Sequence, residues 1–193
     1  MKKIIIATAI LFAFIQNINA QAEYPEKFGN TLNLGAGIGY YGYVGRSLPV
    51  GFLNYEFDVF RNFTLSPFIG IYSYRDNYYW GNPNKPGNDP SYRPYSYRTT
   101  AIPVGAKASY YFDEWFHAGP RWDFYIGTSL GFVYRNVVWE NGYNGDRGAY
   151  TDASPLYLTG HIGSECYLNR KLGIFLDLSS GVSTFGLAIH VAN

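Results

Sequence analysis

Apolar and polar residues alternate one by one along most of this chain, and segments with a helical period are almost absent, so the pattern predicts strands throughout. From Thr31 to Val44, Leu32, Leu34, Ala36, Ile38 and Tyr40 share one face against Asn33, Gly35, Gly37, Gly39 and Tyr41. From Val50 to Phe60, Leu53, Tyr55, Phe57 and Val59 oppose Asn54, Glu56 and Asp58. A third segment sets Leu65, Ile69 and Ile71 against Thr64, Ser66 and Gly70, and a fourth, about Tyr97 to Phe112, sets Ile102, Val104, Ala106 and Ala108 against Gly105, Lys107 and Ser109. In the fifth, Trp122 to Tyr134, Phe124, Ile126, Leu130 and Phe132 oppose Asp123, Tyr125, Gly127, Ser129 and Gly131. The sixth opposes Leu156, Leu158 and Ile162 to His161, Gly163 and Glu165, and the seventh opposes Ile174, Leu176 and Leu178 to Asp177 and Ser179. The eighth carries Phe185, Leu187, Ile189 and Val191.

The connections between these segments alternate in length, as in barrels with short periplasmic turns and longer external loops. With the N-terminus periplasmic, the turns at Arg61-Asn62, Asp113 to Arg121 and Asn169-Arg170 fall on the periplasmic side. The long connections, 75–96 and 135–153, fall outside, and Val137, Val138 and Trp139 are placed to prolong strand five beyond the membrane. The predicted fold is all-β: a single antiparallel up-and-down transmembrane β-barrel of about eight strands, spanning residues 31–193.

Composition agrees and narrows the location. Lys2 and Lys3 precede an apolar run from Ile4 to Ile15, which predicts an export signal over residues 1–20, cleaved after Ala20 or after Ala22, with 21–30 as a periplasmic N-terminal segment. No segment approaches the about 18 uninterrupted apolar residues of a membrane-spanning helix. Twenty Tyr, 14 Phe, four Trp and 22 Gly suit a barrel with aromatic girdles. Removing two signal lysines from the 15 Lys and Arg leaves 13 against 14 Asp and Glu, so no basic surface for nucleic acid is expected. Cys166 is the single cysteine and has no disulfide partner in the chain.

Aromatics gather at the strand ends, with Tyr40, Tyr41, Tyr43, Tyr72, Tyr74 and Tyr134 toward one rim and Phe60, Phe63, Phe112, Trp115, Phe116 and Trp122 toward the other. The polar face is rich in Gly and Ser with single charges, which suits a narrow packed lumen. Through segments such as Leu32-Asn33-Leu34-Gly35-Ala36-Gly37-Ile38-Gly39 and Gly186-Leu187-Ala188-Ile189-His190-Val191, residues 31–191 resemble the small eight-stranded outer-membrane barrels of the OmpA transmembrane-domain and OmpX type. The resemblance implies residence in the bacterial outer membrane, although Val191-Ala192-Asn193 lacks the terminal aromatic usual in such proteins. Pro67 and Pro103, within predicted strands, are expected to mark bulges or bends.

Chemistry-bearing patterns are few. Gly127-Thr128-Ser129-Leu130-Gly131 matches G-x-S-x-G without a strand-to-helix elbow, and Gly37-Ile38-Gly39-Tyr40-Tyr41-Gly42 matches G-x-G-x-x-G without a following helix. Around His161 no triad forms locally, because Ser164 points away from the face of His161 and Glu165, so the expectation is no catalytic residue, no metal and no cofactor. Lys107, the only lysine or arginine predicted inside the membrane-spanning lumen, is expected to centre a charge network with Glu56, Glu165 and Asp58. Tyr78, Tyr79, Trp80, Tyr92, Tyr95 and Trp139 are the candidate loop contacts. The expected role is structural or surface-binding, with outer-membrane lipid and lipopolysaccharide as partners and a surface protein or glycan as a further ligand. The alternatives are a lipid-A-modifying barrel enzyme and a soluble periplasmic lipocalin-like carrier of a hydrophobic ligand.

Overall fold

The computed structural model describes residues 30–41, 46–60, 62–80, 93–112, 119, 121–145, 147 and 156–191. They form eight strands: β1 (Thr31–Tyr41), β2 (Arg46–Phe60), β3 (Phe63–Trp80), β4 (Arg93–Tyr111), β5 (Trp122–Trp139), β6 (Leu156–Tyr167), β7 (Leu172–Ser179) and β8 (Val182–His190). Each runs antiparallel to the next, and β8 returns to β1 over Thr31↔His190 to Gly39↔Val182, so the sheet closes. Closure removes sheet edges, which lipid cannot satisfy with hydrogen bonds. The predicted signal and all of the N-terminal segment but Asn30 lie outside the described residues, as do 81–92, 148–155 and the rim aromatics Tyr43, Trp115 and Phe116.

Alternation puts the large apolar side chains outside. Leu130, Phe132, Leu158 and Phe185 are 59–66% exposed, and Leu34, Ile38, Leu53, Ile69, Ile71, Val104, Ile126, Ile162, Leu176, Leu178 and Leu187 join them in a continuous outer band. The residues between them are buried and polar: Asn33, Asn54, Glu56, Thr64, Ser66, Lys107, Ser129, His161, Glu165, Asp177 and Thr184. A soluble ligand carrier inverts this order, so the exterior is one built for lipid.

Three sequence expectations change. The connection predicted over 75–96 is shorter, because the β3–β4 ladder continues through Arg75↔Arg98 to Trp80↔Arg93. Tyr72 and Tyr74 are not girdle residues: their parity on β3 turns them inward, Tyr72 is buried, and they join an apolar layer of Val50, Phe52, Phe68, Ala101, Val133, Tyr157 and Val182 in the external half of the lumen. Nor do the prolines make bulges. The β2–β3 register is the same at Asn54↔Phe68 and Phe57↔Leu65 on either side of Pro67, and the β3–β4 register is the same at Ile69↔Val104 and Tyr72↔Ala101 on either side of Pro103. Each proline forfeits ladder bonds on one side only and stays paired on the other, as Pro67↔Ala106 and Pro103↔Val133. The register shift in β2–β3 falls instead between Asp58 and Phe60.

A narrow lumen is filled by setting bulky inward side chains against glycine. A Cβ at Gly163 would sit 2.3 Å from the ring of Tyr125, and one at Gly35 would sit 2.7 Å from that of Phe175. These two missing side chains let rings from β5 and β7 lie across the lumen, and Tyr125 is thereby placed on the site described next.

A closed barrel of this kind is expected to resist detergent until heated. The purified protein should migrate differently on a denaturing gel before and after boiling and should fractionate with the outer membrane; recovery as a soluble monomer with one mobility would contradict the fold.

Candidate functional site in the barrel interior

Burying a polar group costs free energy unless it is hydrogen-bonded, so the inward-facing polar residues of a narrow lumen gain by pairing with one another. Lys107 of β4 reaches Asp177 of β7, with Nζ donating to Oδ2 at 3.1 Å and both side chains almost wholly buried. Tyr125 donates its hydroxyl to the same oxygen at 2.8 Å, and its ring also lies 4.4 Å from the Lys107 ammonium. The other oxygen of Asp177 meets His161 Nδ1 at 2.7 Å. On the far side of that imidazole, Nε2 meets Ser129 Oγ and Thr159 Oγ1, each at 2.8 Å. A carboxylate accepts only, so Nδ1 carries the proton to Asp177; in the neutral imidazole Nε2 then has one lone pair, which accepts from one of the two hydroxyls at a time.

A second cluster lies one layer toward the periplasm. Glu56 accepts from Thr64 Oγ1 and from the Tyr111 hydroxyl at 2.7 Å. Glu165 accepts from the Tyr167 hydroxyl at 3.0 Å, and the Asn33 amide spans both acids at 3.5 and 3.4 Å. Neutral donors, rather than Lys107, make the direct bonds to these two carboxylates.

Of the four residues expected in one network, the structure therefore places Lys107, Glu56 and Glu165 in adjacent layers of the same lumen. Asp58 is outside it: at the end of β2, where the register shifts, its side chain is exposed. Asp177 is the partner that sequence reading missed, although its inward parity between Leu176 and Leu178 marks it as a lumen acid. No triad forms locally around His161, but a serine and an acid distant in sequence do converge on it. Ser129 and Asp177 lie 32 and 16 positions away in sequence, on β5 and β7, and the ladder sets these strands on either side of β6.

The loop aromatics divide in another way. Tyr78, Tyr95 and Trp139 pack with Tyr97 and Tyr143 inside the external extension of β3–β5; Trp139 stacks on Tyr143 at 4.1 Å, and Tyr95 meets Tyr143 at 5.2 Å. They stiffen a wall rather than offer ring faces to solvent. Tyr79 is 63% exposed, Tyr92 falls outside the described residues, and of Trp80 only the backbone is described. Arg93 lies 4.1 Å over the Tyr95 ring and 2.7 Å from Glu140, which ties the ends of β4 and β5 together.

Comparison with solved structures finds barrels of similar strand arrangement at low identity. A de novo designed transmembrane β-barrel is 16% identical with a TM-score of 0.44, covering 86% of this chain and 100% of that one. The Yersinia pestis outer membrane protein Ail in a phospholipid bilayer nanodisc is 9% identical with a TM-score of 0.40, covering 82% and 96%. Ail in complex with the heparin analogue sucrose octasulfate gives 9% and 0.41, covering 82% and 92%. No family model and no curated protein matches the chain. The assignment rests on its own geometry: a closed antiparallel sheet, apolar outside and polar within, is a small transmembrane barrel of the bacterial outer-membrane type.

Two outcomes follow from these contacts. Lys107→Met leaves Asp177 a buried charge without its cation and is expected to lower the urea-unfolding free energy in lipid vesicles by about 3 to 5 kcal/mol. The double variant Lys107→Met/Asp177→Asn should recover much of that loss, whereas simple addition of the two single losses would show that the pair is not coupled. At the external end, the Ser96 backbone amide, the Arg93 guanidinium and the Ser96 hydroxyl hold the Glu140 carboxyl down to about 2 from an ordinary 4.5. A depressed value makes the contribution complete above pH 4.5 and lost as pH falls toward 2. Hydrogen-exchange protection of the Ser96 and Glu140 amides should therefore fall over that window in the wild type, and stay level with pH in Glu140→Gln.

Proposed function

We propose that this protein is a surface-presented outer-membrane barrel whose projecting β3–β5 wall binds the phosphorylated head region of lipopolysaccharide. Strands β3, β4 and β5 have 18, 19 and 18 residues, against the about 9–11 that a tilted strand needs to cross a bilayer. Their external ends therefore stand clear of the hydrocarbon as a rigid three-stranded wall, braced by the Tyr78–Tyr95–Trp139–Tyr143 packing.

The observation that carries the reading is a pair of like charges. Arg75 and Arg98 are direct cross-strand partners, and both are exposed on the outer face of the wall. They stand beyond the apolar positions Ile69, Ile71 and Ile102, with Val138 of β5 as the register partner of Arg98. Two cations directly opposite each other repel. None of the outward positions of described β3, β4 or β5 at this level carries an Asp or Glu. A phosphate oxygen shared between the two guanidinium groups removes the repulsion and forms charge-assisted bonds. At this height on a lipid-facing wall, the outer-leaflet lipid supplies such phosphates. Tyr79 offers an exposed aromatic further out, suited to a sugar face.

Each charge-assisted bond is worth at least about 1.5 kcal/mol, so Arg75→Gln/Arg98→Gln should weaken binding of the nanodisc-embedded protein to lipopolysaccharide roughly a hundredfold. Dephosphorylated lipid A should bind wild type and variant alike. Equal affinity of both proteins for the phosphorylated form would overturn the proposal.

A further inference from the structure

We infer that Ser129, His161 and Asp177 form a nucleophilic site for acyl esters of outer-leaflet lipids, reached through a low stretch of the barrel wall. This goes beyond the binding role above and depends on different residues.

The three side chains stand in the order nucleophile, base, orienting acid: Ser129 Oγ to His161 Nε2 at 2.8 Å, and His161 Nδ1 to Asp177 Oδ1 at 2.7 Å. These are the distances and the tautomer that acyl transfer by a serine needs. Lys107 is the register partner of Ser129 on β4 and is bound to Asp177 at 3.1 Å, so a positive charge lies in the same layer, available to a carbonyl oxygen that becomes negative.

Access comes from the uneven rim. β7 has eight residues and β8 nine, at or below the length that crosses a bilayer, while β3–β5 rise far above them. The β7–β8 turn at Ser180-Gly181 is thus the lowest part of the described wall, and His161 is the register partner of Ser179, one position below that turn. The exterior is dented at the same place. A groove of about 420 Å³ is lined by Ile126, Gly127, Gly160, His161, Leu178 and Ser180, and a Cβ at Gly160 would meet nothing within 4 Å. The seam above His161 is closed partly by a side chain, with the Gly160 amide donating to Ser180 Oγ at 3.2 Å. An acyl chain lying in this apolar dent has its ester at the height of the turn, with Tyr157 and Thr159 the side chains packed against Gly181 on the inner side.

In the reaction, Ser129 Oγ forms a bond to the ester carbonyl carbon while its proton passes to His161 Nε2, and the carbonyl pair moves onto oxygen beside Lys107. Collapse breaks the bond to the lipid hydroxyl, which leaves with the proton from Nε2, and an acyl-serine remains. Water, or the hydroxyl of a second lipid, attacks that acyl group, returns a proton through His161 and frees Ser129.

The test is covalent labelling of the folded barrel in lipid nanodiscs, using a long-chain alkyl fluorophosphonate and a charged, water-soluble one, with the modified residue located by mass spectrometry. Ser129 should be labelled, and the membrane-partitioning reagent should react at least tenfold faster. His161→Gln should slow labelling at least a hundredfold while retaining the gel shift on heating. If phosphonylation perturbs folding, thiol alkylation replaces it: Ser129→Cys should be alkylated faster at neutral pH than the double variant Ser129→Cys/His161→Gln. Absence of label on Ser129, label on Thr159 instead, or equal rates in His161→Gln would overturn the catalytic assignment. Faster reaction of the water-soluble reagent would overturn the lateral route.

Discussion

Asp177 is the point on which the interior of this barrel depends. One oxygen takes the Lys107 ammonium and the Tyr125 hydroxyl, and the other takes the His161 imidazole, so a single buried carboxylate ties together β4, β5, β6 and β7. In water such contacts would be worth little; inside a lumen with lipid on the far side of the wall, a carboxylate without them is a large cost. The surrounding choices serve that node. Gly163 clears the space in which the Tyr125 ring lies, and Ser129 and Thr159 complete the imidazole whose other nitrogen Asp177 has fixed.

The second determinant is unequal strand length. The same alternation that seals β7 and β8 into the bilayer continues in β3–β5 past it, so one side of the molecule is a stiff wall outside the membrane and the other barely reaches the surface. The wall is stiff because its inward positions are aromatic and interlocked, and it is basic on its outward face at Arg75 and Arg98. The low side brings the polar interior close to lipid. Two regions of different chemistry thus arise from one architectural asymmetry.

Much of the fold was legible because period-two alternation is a direct consequence of a two-faced sheet: the eight segments, their parity and the inward positions of Lys107, Glu56 and Glu165 follow from it. Cross-lumen contacts were not legible. Alternation says that Asp177, Ser129 and His161 point inward, but not that register brings them to one depth; that depends on the stagger of β5, β6 and β7, which no local pattern encodes. Asp58 has the right parity and the wrong depth, since a register shift at the strand end carries it out to solvent. Pro67 and Pro103 misled because a strand between two neighbours can forgo bonds to one while keeping its register with the other. The aromatic residues at 72 and 74 misled because girdle residues and lumen residues have the same composition and differ only in parity.

The central claim, that Asp177 fixes the state of His161, is tested most directly by nitrogen-15 magnetic resonance of histidine-labelled protein in lipid nanodiscs. The account predicts that His161 is held with its proton on Nδ1, giving a strongly deshielded, slowly exchanging N–H that disappears in Asp177→Asn. A His161 with its proton on Nε2, or a rapidly exchanging mixture of tautomers indifferent to Asp177→Asn, would contradict it.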